Sequence, residues 1–232
     1  MRTLFNNELT TVADHIRALG DQVNVATARA VTALVNHDFA EAREVKRSDK
    51  STDQLRYEIE NECLISMATQ QPVASDLRRL VAATFVAVEL ERCGDYAKGI
   101  AKAARRLSRA NSNSGAYNLT EMQAFASGML DRAVNAFINV DSPTARVIIA
   151  DDDHIDAMYN DLVSKVTLDM SEDFTHIESG TWLIHAGHCI ERIADRATNI
   201  AERVLFIQSG NVTGDLNVHP VEATRKVNAP EN

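Results

Sequence analysis

The feature that most constrains this fold is a helical segment that the chain contains twice. The segment at 91–101 reads ERCGDYAKGIA, and the segment at 191–201 reads ERIADRATNIA. They share six of eleven positions at an offset of one hundred residues. A match at one fixed offset is typical of an internal repeat. The sequence therefore predicts two similar structural units, each containing one copy.

Each copy carries two carboxylates four residues apart. The pairs are Glu91 with Asp95 and Glu191 with Asp195. Side chains at this spacing share one helix face, where like charges destabilise an isolated helix by roughly 0.2–0.5 kcal/mol. We therefore expect other groups or ions to compensate for the repulsion.

A second pair of carboxylates with the same spacing precedes each copy. These pairs are Asp49 with Asp53 and Asp152 with Asp156. In a helical hairpin, residues equidistant from the turn lie side by side. The acids of the first half are equidistant from Pro72, which a helix interior tolerates badly, and those of the second half from Asp173–Phe174. The sequence therefore predicts that four carboxylates converge between two antiparallel helices in each half.

The composition favours long helices over strands, because the 232 residues include only nine glycines and four prolines. Apolar residues recur at helical intervals between turn and capping residues. We predict helices at about 3–36, 39–70, 75–108, 120–140, 142–171 and 175–208. The predicted fold class is all-α, with two tandem antiparallel three-helix bundles. The predicted parts are a first bundle at 1–108, a linker at 109–117, a second bundle at 118–208 and a disordered tail at 209–232.

Charge and cysteine content narrow the class of protein further. A formal net charge of −9 argues against binding to nucleic acid, whose phosphates require a basic surface. Cys63, Cys93 and Cys189 lack paired spacing and stand inside helical patterns, as core residues in a reducing compartment do. The amino terminus does not resemble a signal peptide, and no apolar run approaches the length of a membrane span. We expect a cytoplasmic protein.

Further motifs connect the chain to a known family. Residues 72–79 read PVASDLRR ahead of the first copy, and the second copy continues to Glu202. With the duplicated acidic motif in this order, residues 1 to about 208 resemble the PhoU family, accessory regulators of bacterial phosphate uptake. The resemblance implies that the two three-helix bundles are related by approximate twofold symmetry.

The resemblance also implies a role without catalysis. Members of the family couple the ATPase subunit of the phosphate ABC transporter to a phosphate-sensing histidine kinase. By this analogy, the protein is a negative regulator that keeps the phosphate-starvation (Pho) response off when phosphate is plentiful and modulates high-affinity uptake. We expect a homodimer that meets the inner face of the membrane only through its partners and binds no nucleic acid.

The family motif, an acidic residue followed four positions later by Asp, can hold multinuclear metal clusters. Carried over to this sequence, it predicts two metal sites. The predicted ligands are Asp49, Asp53, Glu91 and Asp95 in the first half, and Asp152, Asp156, Glu191 and Asp195 in the second. Carboxylates suit hard cations, and the sequence does not select among Fe, Zn, Mn, Mg and Ca. No cofactor is expected for catalysis.

The first half departs from the family pattern. Lys98-Gly99 stands where the second half has Thr198-Asn199, so the first site lacks an amide expected to support its ligands. Lys98, three residues beyond Asp95, is positioned to neutralise part of the acidic charge. Cys93 and Ala194 also replace residues that are usual in the family. We expect the first site to bind metal more weakly than the second.

Two alternatives from other classes stay open at this stage: a di-iron-like helical-bundle oxidase and a metal store. Such an oxidase uses two Glu-x-x-His elements. No Glu here is followed three residues later by His, although Asp151 with His154 and Asp173 with His176 have that spacing. His185 and His188 are further candidate ligands. The chain shows neither a nucleophile-and-base arrangement nor a glycine-rich phosphate loop.

Overall fold

The computed structural model describes the backbone of residues 2–107 and 117–210, and the side chains of these ranges except those of residues 2, 3, 48 and 49. All regular structure in these ranges is helical. The helices are α1 Arg2–Val35, α2 Phe39–Gln70, α3 Ala74–Leu107, α4 Leu119–Asn139, α5 Ser142–Ala150, α6 Asp152–Glu172 and α7 Ile177–Ser209, with a 3₁₀ turn at Phe174–His176.

The helices form two bundles that pack against each other. Helices α1, α2 and α3 form the first bundle, and α4 to α7 form the second, in which α5 and α6 together take the place of one helix. The bundles meet through α3 on α7 and α1 on α4. These are pairs of equivalent helices, as an approximate twofold axis between the bundles requires. The predicted all-α fold of two tandem antiparallel three-helix bundles is confirmed.

Both predicted hairpin turns are also confirmed. Helix α2 ends two residues before Pro72 and α3 begins two residues after it. The second turn lies at Asp173–Phe174, between α6 and α7. The start of α2 follows from its N-cap, since the Asp38 carboxylate accepts a hydrogen bond from the backbone N–H of Glu41. The predicted linker and tail fall almost wholly on 108–116 and 211–232, outside the described residues, and stay predictions.

The fifth predicted helix is wrong in one respect, because it breaks at Asp151 into α5 and α6. The backbone N–H of Asp151 bonds to the carbonyls of both Val147 and Ile148, so the last turn of α5 tightens. The Asp151 carboxylate pairs with Arg132 of α4 at 2.6 Å. This contact with another helix holds the break, which is why helical periodicity along the chain did not reveal it.

Small residues of the repeated segment let α3 and α7 approach closely. The four alanines that the two copies share are all buried: Ala97, Ala101, Ala197 and Ala201. A Cβ atom added to Gly99 of α3 would lie 2.7 Å from the Sγ of Cys189 on α7. The repeated segment therefore contributes small residues to the interface between the bundles, in addition to its acidic pairs.

The cysteines behave as core residues. Cys63, Cys93 and Cys189 are buried thiols, and burial raises the pKa of each of them. Within 2–107 and 117–210, no helix combines the length and the apolar character that crossing a bilayer requires.

Candidate metal centre

The four predicted acids of the second half lie together between α6 and α7. We call Asp152, Asp156, Glu191 and Asp195 the second acidic groove. The pKa of Asp152 rises from 3.8 to about 6, first because the carboxyl is partly buried and then because the other three acids of the groove lie near it. Burial and Glu191 also raise the pKa of Asp195. Asp152 of α6 thus lies near Asp195 of α7, as the predicted register of this hairpin requires.

One oxygen in this groove is unsatisfied. The Oδ1 atom of Asp152 is buried and has no hydrogen-bond partner. A buried carboxylate oxygen without a partner is costly, because it has lost water without a replacement. The second acidic groove thus retains an acceptor that suits a hard cation, and its carboxylates have the donor chemistry of the metal ligands that the family implies.

Part of the negative charge in this groove is already compensated by Arg192 of α7. Its Nε and Nη2 atoms donate to the two carboxylate oxygens of Glu191, both at 2.8 Å. Its Nη1 atom lies 2.7 Å from Asp195. The hydrogen bonds to Glu191, together with the neighbouring carboxylate charges, raise the pKa of Arg192. Arg196 approaches Asp195 more loosely, at 3.8 Å.

The first half carries the equivalent acids, and its described side chains show a different compensation. We call Asp49, Asp53, Glu91 and Asp95 the first acidic groove; the side chain of Asp49 lies outside the described residues. Burial, followed by Asp95 and Asp53, raises the pKa of Glu91. Lys98 forms an ion pair with Asp95, which confirms the predicted neutralisation.

In the part of the chain with described side chains, no three His, Cys, Asp or Glu residues are arranged to hold a metal ion. The contacts of Arg192 and Lys98 give a physical reason, because carboxylates that turn toward a cationic side chain do not turn toward a common centre. Metal coordination, the ligand set and the expected weakness of the first site therefore stay predictions.

A buried carboxylate between the bundles was missed by the sequence analysis. Glu89 of α3 is only 1% exposed and lies 3.0 Å from Arg92 of its own helix and from Arg196 of α7. It also accepts a hydrogen bond from Asn199 at 3.0 Å. The spacing of three residues between Glu89 and Arg92 is a weak sequence signal for their ion pair. No sequence pattern indicates that Arg196 and Asn199 of α7 also contact Glu89.

These contacts correct the role expected for Asn199. Its amide was expected to support ligands of the second site, but it donates to Glu89 of the other bundle. The equivalent positions in the repeat are Cys189 for Glu89 and Gly99 for Asn199, and these two residues also face each other. Gly99 is therefore explained by close packing.

Of the candidate histidines, His188 contacts an acid of the second acidic groove. Its Nδ1 atom is 3.4 Å from Glu191. His185 lies 3.8 Å from the Sγ of Cys189, and burial lowers the pKa of its imidazole. The role of these histidines as additional metal ligands stays a prediction.

The two Asp-x-x-His elements do not form a di-iron arrangement. Asp151 pairs with Arg132, and the ring of His154 packs against Phe125 at a tilt of 56°, with centroids 4.7 Å apart. Asp173 instead accepts a hydrogen bond from the backbone of Thr175 in the α6–α7 turn. These contacts do not support the oxidase alternative.

Comparison with known proteins agrees with this architecture. The PhoU domain family model matches residues 16–104 and 119–204. A phosphate-specific transport system accessory protein PhoU homolog from Burkholderia sp is 32% identical over 209 residues, which cover 89% of each chain. The protein of the same name from Pseudomonas aeruginosa is 31% identical over 229 residues, which cover 98% of this chain and 93% of the relative.

Solved structures show the same fold. The crystal structure of PhoU from Pseudomonas aeruginosa matches with a TM-score of 0.83 and 31% identity, over 89% of this chain and all of that one. The phosphate transport system regulatory protein PhoU from Streptococcus pneumoniae matches with a TM-score of 0.81 and 28% identity, over 90% of this chain and 99% of that one. The chain therefore belongs to the PhoU family.

Proposed function

We propose that this protein is a negative regulator of the phosphate-starvation response and a modulator of high-affinity phosphate uptake. It acts without catalysis, by contacting the ATPase subunit of the phosphate ABC transporter and a phosphate-sensing histidine kinase. The observation that carries the proposal is membership of the PhoU family over nearly the whole chain, because its relatives are named accessory proteins of a phosphate-specific transport system.

The proposed setting follows from these partners. The regulator works in the cytoplasm, as a homodimer, and reaches the inner face of the membrane through the transporter. The approximate twofold symmetry of the chain supports a bridging role, because the two bundles present equivalent surfaces in different orientations.

Multivalent metal ions bind the two acidic grooves and tune this surface. Support comes from the Oδ1 atom of Asp152, which is buried without a hydrogen-bond partner. Burial, and then neighbouring acids, also raise the pKa of Asp152, Asp195 and Glu91. A cation that binds only the folded state stabilises it by about 2.7 kcal/mol at a hundred times its dissociation constant. The proposed role of the metal is to stabilise the folded protein, and it takes no part in a reaction.

Copurification tests the regulatory role. We would isolate the tagged protein from cells grown in high and in low phosphate and probe for the transporter ATPase and the kinase. Recovery of both, with an amount that depends on phosphate, is the expected result. Recovery of neither under both conditions would contradict the proposal.

A deletion strain provides an independent test in the cell. Without the regulator, phosphate-scavenging genes should be expressed despite ample phosphate, and the intact gene should restore repression. Normal repression in the deletion strain would show that the protein has another role. Catalytic oxidation of Fe²⁺ by the purified protein would in turn contradict the absence of catalysis.

A further inference from the structure

The guanidinium of Arg192 contacts Glu191 and Asp195, two of the four acids of the second acidic groove. We propose that Arg192 is the resident counter-cation of this groove, and that a multivalent metal ion enters by displacing it from Glu191 and Asp195. The inference rests on the metal binding of the proposed function and adds the event that regulates it.

The contacts of Arg192 are strong, but all of them are to acids of its own helix, α7. It donates to both oxygens of Glu191 and pairs with Asp195, all within 2.8 Å. Charge-assisted, bidentate bonds of this kind are among the strongest in proteins. All of these partners lie on α7, whereas Asp152 on α6 keeps a buried oxygen without a partner. A metal ion between the two helices can serve acids of both, which a guanidinium fixed on α7 does not.

The repeat explains why Arg192 turns into the groove. Its equivalent in the first half, Arg92, pairs with Glu89 three residues upstream at 3.0 Å. In the second half Cys189 occupies the position equivalent to Glu89, so Arg192 has no carboxylate there. Its nearest acids are those of the groove itself. The replacement of one buried residue thus gives the two grooves different internal cations, Arg192 in the second and Lys98 in the first.

Displacement has two consequences. The entering ion must recover the interactions that the guanidinium loses, so multivalent cations are favoured over Na⁺ and K⁺, whose single charge is no larger than that of Arg192. The released side chain, already 35% exposed, then presents a free positive charge beside the loaded site. Metal binding would in this way neutralise an acidic surface and expose the positively charged side chain of Arg192 beside it.

Titration with Mn²⁺ tests the inference, with free Mn²⁺ measured by electron paramagnetic resonance. The titrations use a background in which Asp53→Asn and Asp95→Asn disable the first acidic groove. In this background Arg192→Gln should tighten Mn²⁺ binding by about tenfold, the change expected when one charged contact no longer has to be broken. The matched control is Arg92→Gln, which removes the same charge at the equivalent position.

Arg92→Gln should change the affinity less than about twofold, because the charge it removes is exposed and paired with Glu89 outside the groove. Equal or weaker Mn²⁺ binding by Arg192→Gln would overturn the inference, as would equal tightening by both variants. Absence of Mn²⁺ binding by every protein would instead remove the proposed metal binding itself, and this inference with it.

A spectroscopic measurement follows Arg192 directly. The Nε–H resonance of Arg192, identified by its loss in Arg192→Gln, should move on addition of diamagnetic La³⁺ as its bond to Glu191 breaks. The Nε–H resonance of Arg92 should stay in place. La³⁺ binding at the second acidic groove that leaves the Arg192 resonance unchanged would show that the metal and the guanidinium occupy the groove together, and would overturn displacement.

Discussion

At the scale of single residues, charge balance dominates this protein. Asp152 is partly buried beside three other acids, and one of its oxygens has no partner. Arg192 compensates only the two acids of its own helix. The metal-free fold therefore retains an electrostatic cost at Asp152, which a metal ion, a proton or an uncharged side chain can each remove.

We predict that Asp152→Asn stabilises the metal-free protein at pH 7. A pKa raised by two units corresponds to about 3 kcal/mol, which solvent screening of this partly exposed group reduces to about 1 kcal/mol. Urea unfolding in the presence of EDTA measures the difference. The neighbouring exposed residue offers a control, Asp153→Asn, which should change stability by less than about 0.5 kcal/mol.

The same pair of proteins should show a defined pH dependence. The folded-state pKa of Asp152, about 6, lies above its ordinary value of 3.8, so the folded state binds more protons between these values. The contribution of this group to stability is thus fully present below pH 4 and is lost as pH rises to 6. The advantage of Asp152→Asn should vanish near pH 4; an advantage that persists there would contradict the assigned cause.

At the scale of helices, the close contact between α3 and α7 depends on small residues, whose role in packing the sequence alone does not reveal. A Cβ atom added to Gly99 would come within 2.7 Å of the Sγ of Cys189, closer than real Cβ atoms tolerate. Gly187 of α7 similarly faces Leu162 of α6. Close helix packing therefore favours glycine at these two positions, although both lie in helix interiors, where alanine has the higher helix propensity.

We predict that Gly99→Ala destabilises the protein by about 1 kcal/mol, the net of a steric cost of about 1–3 kcal/mol and a propensity gain of about 1 kcal/mol. In a Cys189→Ala background the same change should become neutral or stabilising, because the sulfur is gone. Gly128→Ala on α4 is the control, since nothing lies within 4 Å of its added Cβ, and it should stabilise. Thermal unfolding of the four variants gives the comparison, and an effect of Gly99→Ala that is independent of Cys189 would refute the steric explanation.

At the scale of the whole molecule, the two bundles share one interface. It joins α3 to α7 and α1 to α4, and it contains the buried carboxylate of Glu89 between Arg196 and Asn199 of α7. Removing one partner of a buried ion pair costs about 3–5 kcal/mol, since the remaining charge stays uncompensated. The interface therefore couples the stability of the two halves.

We predict a single unfolding transition. The fluorescence of Trp182, which contacts Lys102 and Arg106 across the interface, should change at the same urea concentration as the helical circular dichroism. Glu89→Leu should lower the free energy of unfolding by about 3 kcal/mol and shift both signals together. Arg92→Gln, which removes a 52% exposed partner of the same carboxylate, should cost less than about 1 kcal/mol. Two separate transitions in the unaltered protein would show that the bundles unfold independently.

The sequence by itself determined the helices other than the break at Asp151, the antiparallel hairpins and the convergence of the second-half acids. These features depend on local periodicity, on turn residues such as Pro72 and on a repeat offset that is nearly the same for every element. Helical spacing alone places Glu191 and Asp195 on one face. Each of these inferences uses spacing within one helix or the equal distance of two residues from a hairpin turn.

Only the tertiary structure decided most of the partners that the acids meet, although the spacing of Lys98 and Asp95 predicted their ion pair. The break at Asp151, the burial of Glu89, the role of Asn199 and the inward turn of Arg192 all depend on side chains from other helices or on the residue that occupies an equivalent position in the other half. A long charged side chain has several rotamers of similar energy, and its choice among them is made by the nearest available partner once the helices have packed. Spacing along one helix does not contain that information.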